Sequence, residues 1–123
     1  MGGHVTIDDW AIVGGLVGIH QFVHIGSHSF IGFSSRVTQD VPPYILAGGE
    51  PLNYKGLNIV GLKRRGFNDE QIGHIKQAYS YIFGSKYNIS DAIKVIKESI
   101  PMTDEVKNII QFIEESKRGI IRK

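Results

Sequence analysis

A short left-handed parallel β-helix followed by a small C-terminal helical domain, a mixed β and α chain, is the fold class this sequence predicts. Two observations carry it. Ile7, Val13, Ile19, Ile25, Ile31 and Val37 fall on a strict six-residue spacing. From Leu57 onward, the apolar residues recur at three and four instead. A period of six suits neither an α-helix nor an alternating strand. It is the signature of a hexapeptide β-helix, in which each hexad makes one short strand and one corner.

The aliphatic residue of each hexad is expected to point into the prism. A second register two residues earlier, Val5, Ala11, Val17, Val23, Ser29 and Ser35, is filled by small or weakly apolar residues. The residue after the aliphatic one is Asp8, Gly14, Gly26, Gly32 or Thr38, and His20 breaks that run. The glycines are expected to supply corner conformations that a Cβ makes costly. His4 belongs at a corner, facing outward. His20, His24 and His28 follow one another at spacings of four, with Gln21 beside His20. On a helix that spacing would suggest a metal site. On a hexad repeat the three do not align, so no metal site is assigned. His24 and His28 are read as facing solvent or a neighbour, and His4 and His20 as candidates for polar recognition. Trp10, Phe22, Phe30 and Phe33 lie off the inward register. Large apolar groups outside a prism need covering, and a threefold assembly would cover them while creating clefts between subunits.

The chain is 123 residues long, enough for one domain or two small ones, and 41% hydrophobic. A net charge of +2 does not argue for nucleic acid, and the absence of Cys excludes a disulfide framework or thiolate chemistry. No signal-peptide pattern and no bilayer-length apolar run is present. A cytoplasmic protein is expected. The repeat is in register from Val5, with no polar cap before it. Solenoids normally carry such a cap and need about three repeats, so the chain reads as the C-terminal piece of a longer protein.

Residues 1–40 are therefore assigned to the β-helix. Asp40-Val41-Pro42-Pro43-Tyr44 is expected to stop the ladder, because two prolines remove two donors. Residues 41–56 read as a linker across the end of the prism, and 57–123 as the helical domain. Lys63-Arg64-Arg65-Gly66 looks like the last turn of a short helix with a glycine after it. Its cations either complement the helix dipole or bind phosphate or an acidic partner. Asn68 can cap a helix with Ile72, Ile75, Ala78, Tyr79, Ile82 and Phe83 on one face, ended by Gly84. Asn88 caps the next, with Ala92, Val95, Ile96 and Ile100 on its face and Pro101 after it. Thr103 caps the last, with Val106, Ile109, Ile110 and Ile113 buried. Gly119 is expected to close it, and Arg118, Arg122 and Lys123 to fray. At least one of Tyr79 and Tyr81 is core.

Four segments in this order, HVTIDDWAIVGG, HQFVHIGSHS, QDVPPY and NIVGLKRRGF, resemble the acyl-carrier-protein-dependent UDP-N-acetylglucosamine O-acyltransferases of lipid A biosynthesis. The resemblance covers essentially the whole chain, through RGIIRK. It implies transfer of a (3-hydroxy)acyl chain from acyl carrier protein to the 3-hydroxyl of UDP-N-acetylglucosamine, with a homotrimer, active sites between subunits and no cofactor. By resemblance, Gly3 supplies an oxyanion-binding N–H and His4 orients substrate. His20 and Gln21 line the sugar-nucleotide cleft. Asn58 lies near the nucleotide, and Arg64 and Arg65 bind its phosphates or the acidic carrier protein.

The resemblance has departures. The family's general-base histidine belongs before the Gly-His corner, and none of the five histidines here takes its place. The chain alone is expected to be inactive. Phe33, with Phe30, stands where the family measures acyl length; it either shortens that pocket or packs between subunits. Val60 replaces a residue that is polar in some relatives. Two other readings remain: a different hexapeptide-repeat acyl- or acetyltransferase, and a non-catalytic trimerising module that binds carrier protein.

Overall fold

The structure, a computed structural model, describes residues 3–84 and 86–122. Six two-residue strands, β1 (Thr6–Ile7), β2 (Ile12–Val13), β3 (Gly18–Ile19), β4 (His24–Ile25), β5 (Phe30–Ile31) and β6 (Arg36–Val37), make two coils of a triangular prism. β1 pairs with β4, β2 with β5 and β3 with β6, all parallel, so each sheet is one face of the prism. Ile19, Ile25, Ile31 and Val37 are buried inside it, as the hexad spacing predicts. Ser29 and Ser35 of the second register are buried too, and Ser29 Oγ satisfies itself on Gly26 O at 2.7 Å. Ile7, packed against Ile25 through β1–β4, remains 39% exposed.

The corners differ from expectation. Left-handed backbone falls at His4, Trp10, Leu16, Phe22, His28 and Ser34, a period of six with no glycine in it. These corners bond coil to coil, as in His28 N to Asp9 O (3.2 Å) and Ser34 N to Gly15 O (2.9 Å). The glycines after the strands serve close approach instead. A Cβ on Gly14 would lie 2.9 Å from Ile31 O, and one on Gly26 would overlap the Pro43 backbone.

Residues 41–56, expected to be a linker, carry β7 (Ile45–Gly48) and most of β8 (Asn53–Leu57). The ladder continues past the prolines. Val41 N donates to His24 O and Tyr44 N to Ser27 O, so Pro42 and Pro43 occupy corner positions between two working donors. The coil shortens to let this happen. Ile12 pairs with Phe30, eighteen residues on, whereas Phe30 pairs with Leu46, sixteen on. β8 then turns back antiparallel to β7 and ends the four-stranded sheet.

Four helices follow: α1 (Ile59–Arg64), α2 (Asp69–Phe83), α3 (Ile89–Ser99) and α4 (Asp104–Glu115). Asn58, Asn68, Asn88 and Thr103 cap them, and Asn68 forms a full capping box with Gln71. Ile93 rather than Val95 joins Ala92 and Ile96 in the buried face of α3. Tyr79 is core, and its buried hydroxyl donates to Pro43 O at 2.6 Å. The tail is not frayed. Ile120 and Ile121 are buried, Asp40 N donates to Gly119 O, Ile121 N donates to Asp40 O, and Tyr54 N donates to Arg122 O. Gly119 (φ 85°) turns the chain back onto the prism. Lys123 lies outside the described residues. No helix among them is long and apolar enough to cross a membrane.

Candidate functional site

The corners stack into edges, and two of these edges carry candidate site residues. The first runs through Gly3, His4, His20, Gln21, Phe22 and Thr38. The second runs through Trp10, His28 and Tyr44. The sequence-predicted residues divide between them.

On the first edge Gly3, His4, His20 and Gln21 are all exposed. The His4 ring stacks on Phe22, with centroids 5.2 Å apart and planes nearly parallel. Gly3 O accepts from Phe22 N at 3.2 Å. Arg118 reaches across from the tail and donates to Thr38 O and Gln21 O, each at 2.9 Å. Its guanidinium thereby fixes the loop that presents His20 and Gln21.

On the second edge α1 leans against the prism. Asn58 makes this contact. Its Nδ2 donates to His28 O at 2.9 Å and its Oδ1 accepts from Gly61 N at 3.3 Å. Gly61 permits the tuck, since a Cβ there would lie 2.5 Å from Asn58 Nδ2. Asn58 is buried, so it acts as an anchor between the corner and the helix. The six-residue helix then delivers Arg64 and Arg65 to Trp10. A cavity of about 270 Å³ lies between them, lined by Trp10, Ile12, His28, Asn58, Arg64 and Arg65. A neighbouring cavity of about 310 Å³ shares Asn58 and Arg64 and is floored by Phe30, Leu46 and Leu57, with Val60 at its rim. Phe33 is not part of either lining; it is 69% exposed and packs over Gly15.

The electrostatics of the second edge favour an anion. Lys63 points to Asp69, at 3.9 Å. The Arg64 and Arg65 side chains make no hydrogen bond or ion pair among the described residues, so their guanidinium N–H groups remain available. Burial, and then the Arg65 charge, push the His28 pKa below its ordinary value, against a smaller opposing pull from Asp9. Near neutral pH His28 is therefore an uncharged ring, stacked on Tyr44 (5.9 Å) and edge-on to Phe67 (5.0 Å). Sequence reasoning missed Trp10 and His28 as site residues. Trp10 was visible only as an uncovered aromatic, and nothing local connects it with Arg65.

His24 belongs to neither edge. Its Nε2 lies 2.8 Å from Asp8 Oδ2, and its ring packs on Phe112 at 4.5 Å. No group of three potential metal ligands occurs among the described residues.

The family model described as Udp N-acetylglucosamine O-acyltransferase, Domain 2, matches residues 40–121. The chain belongs to this acyltransferase family. The Burkholderia mallei acyl-[acyl-carrier-protein]--UDP-N-acetylglucosamine O-acyltransferase is 41% identical over 99% of the chain and 48% of that protein. The Burkholderia lata protein of the same name is 42% identical over the same shares. Among solved structures, the UDP-N-acetylglucosamine acyltransferase from Bacteroides fragilis superposes with a TM-score of 0.97 at 45% identity, over 99% of this chain and 48% of that one. The Francisella novicida UDP-N-acetylglucosamine acyltransferase gives 0.92 at 37% identity, over 98% and 45%. The chain spans about half the length of the curated relatives it matches. The family match covers every element from Asp40 on, and so includes β7, β8, α1 with its arginines and the tail as far as Ile121. The prism is the left-handed parallel β-helix of these acyltransferases.

Proposed function

We propose that the chain serves transfer of a (3-hydroxy)acyl group from acyl carrier protein to the 3-hydroxyl of UDP-N-acetylglucosamine, the first step of lipid A biosynthesis, in the cytoplasm. The observation that carries this reading is the pair Arg64 and Arg65. Their free guanidinium N–H groups stand at a cavity whose neighbour, sharing Asn58 and Arg64, is lined by the apolar Phe30, Leu46 and Leu57. A guanidinium pair suits a diphosphate, because each can donate two parallel bonds to phosphate oxygens. The apolar floor suits the acyl chain, and Phe30 would limit its length. Phe33, exposed on the prism, would meet the chain only from a neighbouring subunit.

The reading requires a homotrimer. Gly3, His4, His20 and Gln21 lie on one edge, and Asn58, Arg64 and Arg65 on another. A threefold assembly would set the first edge of one subunit against the second edge of the next. Exposed Trp10, Leu16, Phe22 and Phe33 supply apolar surface for that contact.

In the reaction the 3-hydroxyl oxygen attacks the thioester carbonyl while a histidine takes its proton. The oxyanion is held by the Gly3 N–H, and collapse expels the carrier thiolate, which takes up a proton. His4 orients the sugar; His20 and Gln21 contact the sugar nucleotide. The proton acceptor is none of the histidines described here. His24 is held by Asp8 and Phe112, His28 by Tyr44 and Phe67, and His74 lies on α2.

The test is to offer the purified chain UDP-N-acetylglucosamine and acylated carrier protein. Saturable binding of the sugar nucleotide, lost in Arg64→Ala, with no acylated product, is expected. No binding overturns the reading; turnover near that of intact relatives keeps the acyl transfer and overturns the exclusion of these histidines as proton acceptor.

A further inference from the structure

The Arg65 guanidinium carbon lies 3.4 Å from the centroid of the Trp10 ring. That separation is the thickness of two flat groups in contact, so the planes meet face to face. Such stacking uses only the face of the guanidinium. The N–H fork lies in its plane and stays free to donate. Trp10 is itself held at a left-handed corner (φ 64°) on a hydrogen-bonded coil, with Asp9 O accepting from His28 N. The ring is therefore a fixed shelf rather than a mobile surface group. Among the described residues, Trp10 is the one left-handed corner residue of the repeat with a cation over its ring.

We propose that Trp10 is a positioning residue for anion recognition: it holds the Arg65 guanidinium in the plane from which its fork meets a phosphate of the bound nucleotide. A free arginine on the surface samples many rotamers and loses that freedom when it binds. Stacked on the indole, Arg65 has surrendered it beforehand. Arg64, beside it and without a ring of its own, completes the phosphate contact. This inference rests on the reading of the cavity as the sugar-nucleotide site.

The chain has one tryptophan, so its emission reports this contact without a label. Four proteins are compared: the unaltered chain, Arg65→Ala, Trp10→Leu and Trp10→Phe. Leu is compatible with the corner, because Leu16 takes the same conformation (φ 58°) in the neighbouring hexad. Circular dichroism and Tm verify the fold; if Trp10→Leu is perturbed, the Trp10 emission of Arg65→Ala carries the test. Binding of UDP-N-acetylglucosamine is measured by calorimetry. Arg65→Ala is expected to shift the Trp10 emission of the free protein and to weaken binding the most. Trp10→Leu is expected to weaken binding about fivefold to tenfold, the loss of one partly exposed cation–π contact. Trp10→Phe, which keeps a flat ring, should recover most of it. If Arg65→Ala weakens binding while Trp10→Leu binds like the unaltered chain, the positioning role falls and the anion site stands. An unchanged emission in Arg65→Ala also removes the positioning role. If the unaltered chain does not bind, or Arg65→Ala binds as well as it does, both readings fall together.

Discussion

Two edges of one prism, built from the same hexad and the same left-handed corners, have become different surfaces. On the first, the residue after the strand is His20, and it is exposed. On the second, the equivalent residue is Gly26, and it is pressed against Pro43. The first edge is braced from outside by the tail, through Arg118 and the Thr38 and Gln21 carbonyls. The second is crowded by the shortened third coil, and α1 forms a cavity against its first two coils. What leans against an edge, rather than the repeat itself, decides whether it displays side chains or encloses a site.

The largest expected effect tests that crowding. Gly26→Ala puts a methyl into the Pro43 backbone, with Pro43 Cα only 2.7 Å away. Neither coil can give without breaking Gly26 N to Val41 O (2.7 Å). A loss of about 3 kcal/mol is expected by thermal or urea unfolding, in the range of overpacking. His20→Ala, at the matching place on the first edge, should stay within about 0.5 kcal/mol. Equal losses at the two positions would erase the distinction.

The inward register was legible because a period of six is written locally, one aliphatic per hexad. The helices were legible for the same reason, through caps such as Asn68 and faces such as Ile72, Ile75 and Tyr79. What was not legible depends on distant partners. The left-handed corners sit at His4, Trp10 and Phe22, residue types that carry no turn signal, and they are stabilised by the coil beneath. Pro42 and Pro43 looked like a stop because the two-residue shortening that seats them at a corner is visible only in the pairing. The tail looked frayed because its partners, Asp40 and Tyr54, lie far back in the chain. The candidate site shows the same division. Arg64 and Arg65 stood out as a cluster, whereas Trp10 and His28 join them only through folding.

A second prediction concerns how α1 is attached. Asn58→Ala removes an N-cap and leaves His28 O without its amide partner. A cost of about 2 kcal/mol is expected, the sum of a cap and a partly buried hydrogen bond. Trp10 emission should move with it, since α1 carries Arg65. Loss of stability with unchanged emission would mean that the helix is held by other contacts, chiefly buried Leu62. On the first edge the corresponding brace is Arg118. Because it is exposed, Arg118→Ala should cost no more than about 1 kcal/mol and leave the cavity of the second edge intact. Faster amide exchange confined to the His20–Phe22 corner is the measurement that checks it.

The smallest effect expected is a pH dependence specific to the second edge. The His28 pKa is lowered in the folded protein, by burial first and the Arg65 charge second. Above about pH 6.5, the ordinary histidine value, the ring is neutral both folded and unfolded, and contributes no slope. As pH falls below that value the unfolded chain takes up the proton more readily than the folded one. Stability should therefore fall with pH until the lowered folded value is passed, and then level off for this group. His28→Gln should flatten that part of the acid limb, and Arg65→Ala should flatten it partly by removing the second cause. Urea midpoints between pH 7 and pH 5 resolve the slope. A limb equally steep in His28→Gln would assign the acid sensitivity to other groups, and would leave the second edge differing from the first in shape and charge but not in its titration.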